Sequence, residues 1–201
     1  AVIFSSTCAV YGAPSVIPIP EDHPKAPISP YGASKLMVER IIEDCAAAYG
    51  FRYATLRYFN AAGADPGGQI GEWHDPETHL IPLVLQAASG QGPPVRIFGT
   101  DYDTPDGTCI RDYIHVSDLA DAHILAMEQT LSEDRSVIYN LGNGRGLSVQ
   151  EILTAAEKVT GRPVPVVVVE RRAGDPPILV GDARCAMREL GWRPRFADID
   201  D

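Results

Sequence analysis

An apolar run, Ala1-Val2-Ile3-Phe4, breaks into three hydroxyl residues, Ser5-Ser6-Thr7, and a second apolar run follows at residues 53–59. Between them a segment opens on Ser29-Pro30, a cap followed by a first-turn proline. It places Leu36, Met37, Ile41, Ile42, Cys45 and Ala48 or Tyr49 at helical spacing before Gly50 stops it. The prolines at 14, 18, 20, 24, 27 and 30 make residues 14–30 an ordered surface loop rather than a helix. Two short runs without polar alternation, joined through a helix, are the pattern of a parallel crossover whose strands are buried on both faces. That pattern sets the fold class as α/β, and it directs attention to the polar end of the first strand, because open α/β sheets bind ligands beyond the carboxyl ends of their strands.

Residues 60–71 turn to Gly, Ala, Asp and Pro and leave the sheet for a second region. A helix is expected over 79–89, a strand over 95–99, a polar loop over 101–112 and a strand over 113–116. A helix starting at Ser117 and running to about Leu131 and a strand over 137–141 follow. Ser148 and Glu151 form a capping box for a helix closed by Gly161 and Pro163, and residues 164–169, with Pro165, read as an edge strand. With 201 residues and 45% hydrophobic composition the chain can bury a substantial core. It opens on a strand already under way and closes at Asp200-Asp201, so it reads as a piece of a longer chain.

A formal charge of -10 and a pI near 4.9 argue against nucleic acid or an anionic membrane as partner. No stretch reads as a membrane span or a secretory signal, and the cytoplasm is the expected compartment. Cys8, Cys45, Cys109 and Cys185 show no C-x-x-C pair and read as reduced thiols. His74 and His79 stand five apart rather than at a helical spacing, and no metal is expected.

Tyr31 and Lys35, four apart at the opening of a helix, share one face. A free tyrosine titrates near 10 and is a poor base at neutrality. A nearby ammonium and a cationic ring would favour the phenolate; lowering the pKa by roughly 3 units corresponds to about 4 kcal/mol of differential stabilisation. Tyr-x-x-x-Lys alone is common, but here it follows Ser5-Ser6-Thr7 and Val10-Tyr11-Gly12, and in this context the chain resembles the extended short-chain dehydrogenase/reductase superfamily. The resemblance implies a catalytic unit of Thr7, Tyr31 and Lys35. Thr7 would hydrogen-bond the reacting hydroxyl, Tyr31 exchange its proton, and Lys35 hold the nicotinamide ribose.

Further stretches, Leu56-Arg57-Tyr58-Phe59-Asn60, Phe98-Gly99-Thr100-Asp101-Tyr102, Gly107-Thr108-Cys109-Ile110-Arg111-Asp112-Tyr113-Ile114-His115-Val116 and Asp118-Leu119-Ala120, are similar to UDP-glucose 4-epimerases. That likeness covers essentially the whole chain. It implies the second part of a Rossmann-type doubly wound parallel sheet plus a smaller mixed α/β substrate-binding lobe. Residues 1–64 and 113–143 would belong to the NAD-binding part, and 65–112 and 144–201 to the UDP-sugar lobe. It implies NAD as cofactor, with contacts from Ser5, Ser6, Tyr31, Lys35 and Tyr58. It implies substrate contacts from Thr7, Phe59, Leu80 and Tyr113, with Asn60 at the diphosphate, Arg111 on a phosphate, and Arg172 and Asp175 at the uridine ribose and diphosphate. Arginine suits phosphate because its planar fork gives two charge-assisted hydrogen bonds. Two positions depart from the pattern: His79 stands where the resemblance has Asn, and Leu179 where it has a Tyr linked to exclusion of N-acetylated sugars. The expected substrates are therefore UDP-galactose and UDP-glucose, with UDP-N-acetylhexosamines admitted by the smaller Leu179, and the expected assembly is a homodimer through the Tyr31 helix.

Gly142-Asn143-Gly144-Arg145-Gly146 imitates a dinucleotide fingerprint, but its glycine spacing is wrong for G-x-G-x-x-G, and it reads as a connection between sheet and lobe. The resemblance puts the Gly-rich NAD loop before Ala1, so this chain alone is expected to be inactive. Two rivals stand beside the epimerase reading. A 4,6-dehydratase or decarboxylase shares the scaffold, but dehydratases carry Asp-Glu after the strand-end Thr, where this chain has Cys8-Ala9. The other rival is a non-catalytic nucleotide-sugar-binding module.

Overall fold

A computed structural model describes residues 1–172 and 174–200. Strands β1 (Val2–Thr7) and β2 (Tyr53–Tyr58) run parallel, with Val2 opposite Tyr53 and Thr7 opposite Tyr58. Helix α1 (Pro30–Tyr49) connects them. The Ser29 hydroxyl accepts from the Gly32 amide at 3.1 Å, and Gly50 ends the helix in the left-handed region at φ 73°, a conformation that favours a residue without a Cβ. Strand β6 (Val137–Leu141) lies parallel on the far side of β2. The burial expected on both faces of β1 holds only at Ser6 and Thr7. Val2 is exposed, because β1 is an edge strand among the described residues.

The chain leaves the first sheet after Phe59, as expected, and enters a second one directly. Asn60–Ala62 forms a short strand, β3, parallel to β5 (Ile110–His115), which starts earlier than its sequence suggests and includes Arg111 and Asp112. β5 also pairs antiparallel with β7 (Gly146–Ser148) and parallel with β9 (Ile178–Leu179). A third pairing joins β4 (Val95–Phe98) to β8 (Val166–Val169). Helices α2 (Leu80–Ser89), α3 (Val116–Ser132), α4 (Val149–Thr160) and α5 (Arg184–Glu189) complete the set. α3 begins one residue before Ser117, with the His115 ring accepting from the Ser117 amide at 3.1 Å. α4 carries both halves of its capping box.

Packing divides the interior. Leu56, Tyr139 and Leu141 of the first sheet meet Leu119 and Ala122 of α3, and the late segment with Ala183, Ala186 and Trp192 returns to this core. A division at residue 144 leaves that segment with the other lobe; its packing joins it to β2 and β6. Val84, Ile97, Ile152 and Leu153 build a second core between α2, α4 and β4. The loop over 14–30 is only partly superficial: Ile19 is fully buried, with Tyr11 and Phe59 in its cluster, and bridges to Gly181.

The glycine-rich turn at 142–146 receives a carboxylate of the chain itself. Asp112, fully buried, accepts from the amides of Asn143 at 2.8 Å, Gly144 at 3.1 Å and Gly181 at 3.2 Å. A Cβ on Gly142 would stand 2.5 Å from that carboxylate. The amides that could cradle a phosphate are thus used to bind β5 to the neighbouring loops.

Candidate active site

The carboxyl ends of β1 and β2 open on a cavity of about 750 Å³ that continues to α2, β4 and β5. Thr7 and Tyr31 stand at one side. The Thr7 hydroxyl accepts from the Ala9 amide at 3.2 Å, which leaves its proton free to donate into the cavity. Tyr31, on the first turn of α1, is 55% exposed, so its phenol is within reach of a ligand. Phe59, Asn60 and Tyr58 form the floor.

The same cavity wall carries two cations. Arg111 reaches the wall from β5 and pairs with Asp175 at 2.5 Å, its other amino group donating to the Ile110 carbonyl at 2.8 Å. Arg172 lies flat on the Phe98 ring, its guanidinium carbon 3.8 Å from the ring centroid. His79 caps α2 without a side-chain bond to it and turns its Nδ1 to Glu72 at 2.8 Å and Glu77 at 2.9 Å. Leu80 and Tyr113 also line the space.

The cavity gathers eleven of the residues singled out in the sequence: Thr7, Tyr31, Tyr58, Phe59, Asn60, His79, Leu80, Arg111, Tyr113, Arg172 and Asp175. Four others are not on its wall. The Ser6 hydroxyl is buried and donates to Glu39 at 2.5 Å, and the Ser5 hydroxyl meets His123 Nε2 at 2.9 Å. Leu179, in register with Arg111, packs against the cluster that contains Tyr11, Ile19 and Phe59. Lys35 donates to the Ser5 carbonyl at 2.9 Å, and its ammonium lies 5.8 Å from the Tyr31 ring centroid.

The lowering expected for the Tyr31 phenol is accordingly absent in the chain by itself. Burial holds the phenol above its ordinary value of 10.0, and hydrogen bonding with Thr7 acts the other way without overcoming it. Cys8, behind Thr7, is buried and its thiol is pushed up to about 12, so it stays protonated and serves no acid–base step near neutrality.

Sequence reasoning missed Phe98 as the platform under Arg172 and Cys109 on the wall, where its sulfur stands 3.9 Å from Asp175. Phe98 ends a strand one residue after Ile97, the offset that puts a side chain on the opposite face from its neighbour, but the stacking partner is too distant in sequence to be foreseen. Although His74 and His79 stand five apart, they and Glu77 bring one ligand atom each to within 4.8 Å of one another.

Comparison with known proteins places this site in context. A model of the NAD dependent epimerase/dehydratase family matches residues 1–142. The UDP-glucose 4-epimerase of Halalkalibacterium halodurans is 52% identical over 199 residues, covering 99% of this chain and 60% of the relative. The structure of UDP-glucose 4-epimerase from Brucella ovis in complex with NAD superposes with a TM-score of 0.95 at 53% identity, over 98% of this chain and 61% of that one. UDP-glucose 4-epimerase from Stenotrophomonas maltophila, solved with bound NAD and formylated UDP-arabinopyranose, gives 0.94 at 44% identity over 100% and 60%. The chain thus spans about 60% of the length of the curated relatives it matches.

Proposed function

We propose, from the premise that this chain belongs to the NAD dependent epimerase/dehydratase family, that the complete protein interconverts UDP-galactose and UDP-glucose by inverting carbon 4 through a transient 4-keto sugar. One observation carries the reading: a proton-handling pair, Thr7 and Tyr31, shares a single cavity with two guanidiniums, Arg111 and Arg172. A phenol and phosphate-binding groups in one cavity suit a ligand that is anchored at its nucleotide end and reacts at its sugar end.

In this reading Tyr31 takes the proton of the 4-hydroxyl and later returns it, while Thr7 donates to the same oxygen. Arg111 and Arg172 hold the diphosphate and uridine so that the 4-keto sugar could turn over without release and take back hydride on its opposite face. Binding phosphate on Arg111 replaces part of what Asp175 now supplies, leaving the Asp175 carboxylate for the uridine ribose. The residues present fit NAD at its nicotinamide end. Lys35 uses one of its three N–H groups on the Ser5 carbonyl and keeps two for ribose hydroxyls, beside a phenol that is also exposed. Bound NAD would supply a hydride acceptor and donor at carbon 4, and its ring charge would draw down the raised Tyr31 phenol.

The work would divide between residues 1–64 with 113–143 on the cofactor side and 65–112 with 144–201 on the sugar side. A homodimer through α1 is part of the proposal: Met37 and Ile41 are exposed apolar side chains on that helix. UDP-N-acetylhexosamines are proposed as further substrates, with Leu179 acting through Phe59, against which it packs. A dehydratase is disfavoured, since the place of its acid–base pair holds the inert Cys8 thiol.

The test is turnover of UDP-galactose to UDP-glucose by the complete gene product, followed by chromatography. Tyr31→Phe should lower kcat by roughly a hundredfold or more, as loss of a positioned acid–base group does. A wild-type protein without turnover, or a Phe variant at the normal rate, would sink the reading.

A further inference from the structure

One stripe of α1 is fastened to the structure beneath it at three successive positions. At Gly32 the helix backbone touches the turn after β1 so closely that a Cβ would stand 2.4 Å from the Ala9 carbonyl oxygen. Lys35 reaches the Ser5 carbonyl at 2.9 Å. Glu39, with its side chain only 1% exposed, accepts from the Ser6 hydroxyl at 2.5 Å and is held by Arg57 of β2 through two bonds, Nε to Oε1 at 2.9 Å and a terminal nitrogen to Oε2 at 2.7 Å. Offsets of three and seven residues put all three on one helix face.

Arg57 is itself fixed from the far side. Its other terminal nitrogen donates to the Tyr11 hydroxyl at 2.9 Å and the Glu21 carbonyl at 3.1 Å. Tyr11 donates on to Asn140 of β6 at 2.7 Å, and Asn140 to the Ile19 carbonyl at 2.8 Å. The network therefore ties α1 to three strands and to the buried loop. Stability does not account for it, since a buried ion pair replaced by apolar side chains of similar volume is often neutral or stabilising. What two parallel charge-assisted bonds add is a defined distance and orientation.

We infer that Glu39 and Arg57 are positioning residues that set where α1 sits along β1, and so hold the Tyr31 hydroxyl at the Thr7 end of the cavity. The kinetic side of this inference rests on the function proposed above; the geometric side does not.

The experiment uses the complete gene product carrying Glu39→Met together with Arg57→Met. The double variant should unfold cooperatively near the wild-type temperature. Its kcat should fall by roughly tenfold to a hundredfold, the scale of a misplaced catalytic group, with KM for UDP-galactose held within about twofold because the nucleotide anchors are untouched. The Tyr31 resonance, read by 13C NMR on ring-labelled tyrosine and assigned with Tyr31→Phe, should titrate at a different pH from wild type. A folded double variant with normal kcat and an unmoved Tyr31 titration overturns the inference. Should the double variant fail to fold, Glu39→Asp decides. It keeps the charge but is one methylene shorter, and a folded Asp variant with unchanged kcat and titration is equally fatal. Should the wild type show no epimerase turnover, the proposed function falls by itself. The Tyr31 titration then decides alone: a shift in the variant sustains the positioning role and constancy refutes it.

Discussion

Replacing Asp112 by Asn removes a charge from the interior while keeping its shape. Asp112 is 0% exposed, and burial raises its carboxyl from 3.8 to about 6 although three backbone amides donate to it. The sign follows from linkage. An acid with a raised native pKa binds its proton more tightly folded than unfolded, so its contribution is most favourable below 3.8 and is lost as pH rises towards 6. The shift of about 2.2 units amounts to about 3 kcal/mol in full, of which roughly 2.4 kcal/mol falls between pH 4 and pH 7. At pH 4 the protonated carboxyl and the amide of Asn each present one strong acceptor and one donor to the same three N–H groups, so the two proteins should differ little. By pH 7 only the wild type carries the buried charge, and Asp112→Asn should have gained about 2 to 3 kcal/mol on it. Urea unfolding of both proteins across this range measures the difference, and other titrating groups cancel because they are common to both. A flat difference, or one that runs the opposite way, would show that the amides of Asn143, Gly144 and Gly181 outweigh desolvation and that the carboxyl is held low instead.

Ser148→Ala removes the acceptor for the Glu151 amide and one half of the α4 capping box, which should cost about 1 kcal/mol. In a thermal melt that is a fall of about 2–4 °C for a chain of this size, and an unchanged midpoint would deny the cap a role. Gly32→Ala reverses the usual rule for helices. Alanine there would normally stabilise by about 1 kcal/mol, but the close approach of Ala9 should turn this into a loss of both stability and kcat, and a stabilised, fully active variant would refute the close contact. Arg111→Lys keeps the charge and loses the fork, so KM for UDP-galactose should rise about tenfold with kcat nearly unchanged. A fall confined to kcat would place Arg111 elsewhere in the reaction.

Elements whose signals are local were legible. α1 could be read from Ser29-Pro30 to Gly50, α4 from its capping box, and β6 from a short run that is apolar but for Asn140, because caps, periodicity and glycine stops are properties of neighbours in sequence. The short strands β3, β7 and β9 were not, since two or three residues carry no period and their strand character comes only from pairing with β5. β5 itself was foreshortened for a chemical reason. Arg111 points into the cavity and Asp112 into the amides of the glycine-rich turn, so both faces of its first half are polar and the alternation that marks a strand disappears.

The site divides along the same line. Thr7 and Tyr31 were legible because a strand end and a helix start are local features, and each side chain goes where its element delivers it. Ser5 and Ser6 stand off the cavity wall for a reason that neighbours in sequence do not carry: each hydroxyl bonds a partner far along the chain, His123 in one case and Glu39 in the other. One signal did point inward. Arg57 stands between Leu56 and Tyr58 in a strand otherwise read as buried, and a guanidinium in that position requires a buried anion. Glu39 lies one turn beyond Lys35 on the stripe of α1 that must face the same strands, so the pair could have been proposed from charge and periodicity together. Arg111 and Asp175 offered no such handle. Both are polar residues near loops, and the fact that they meet on a cavity wall depends on β9 pairing with β5, which no periodicity in a two-residue strand announces.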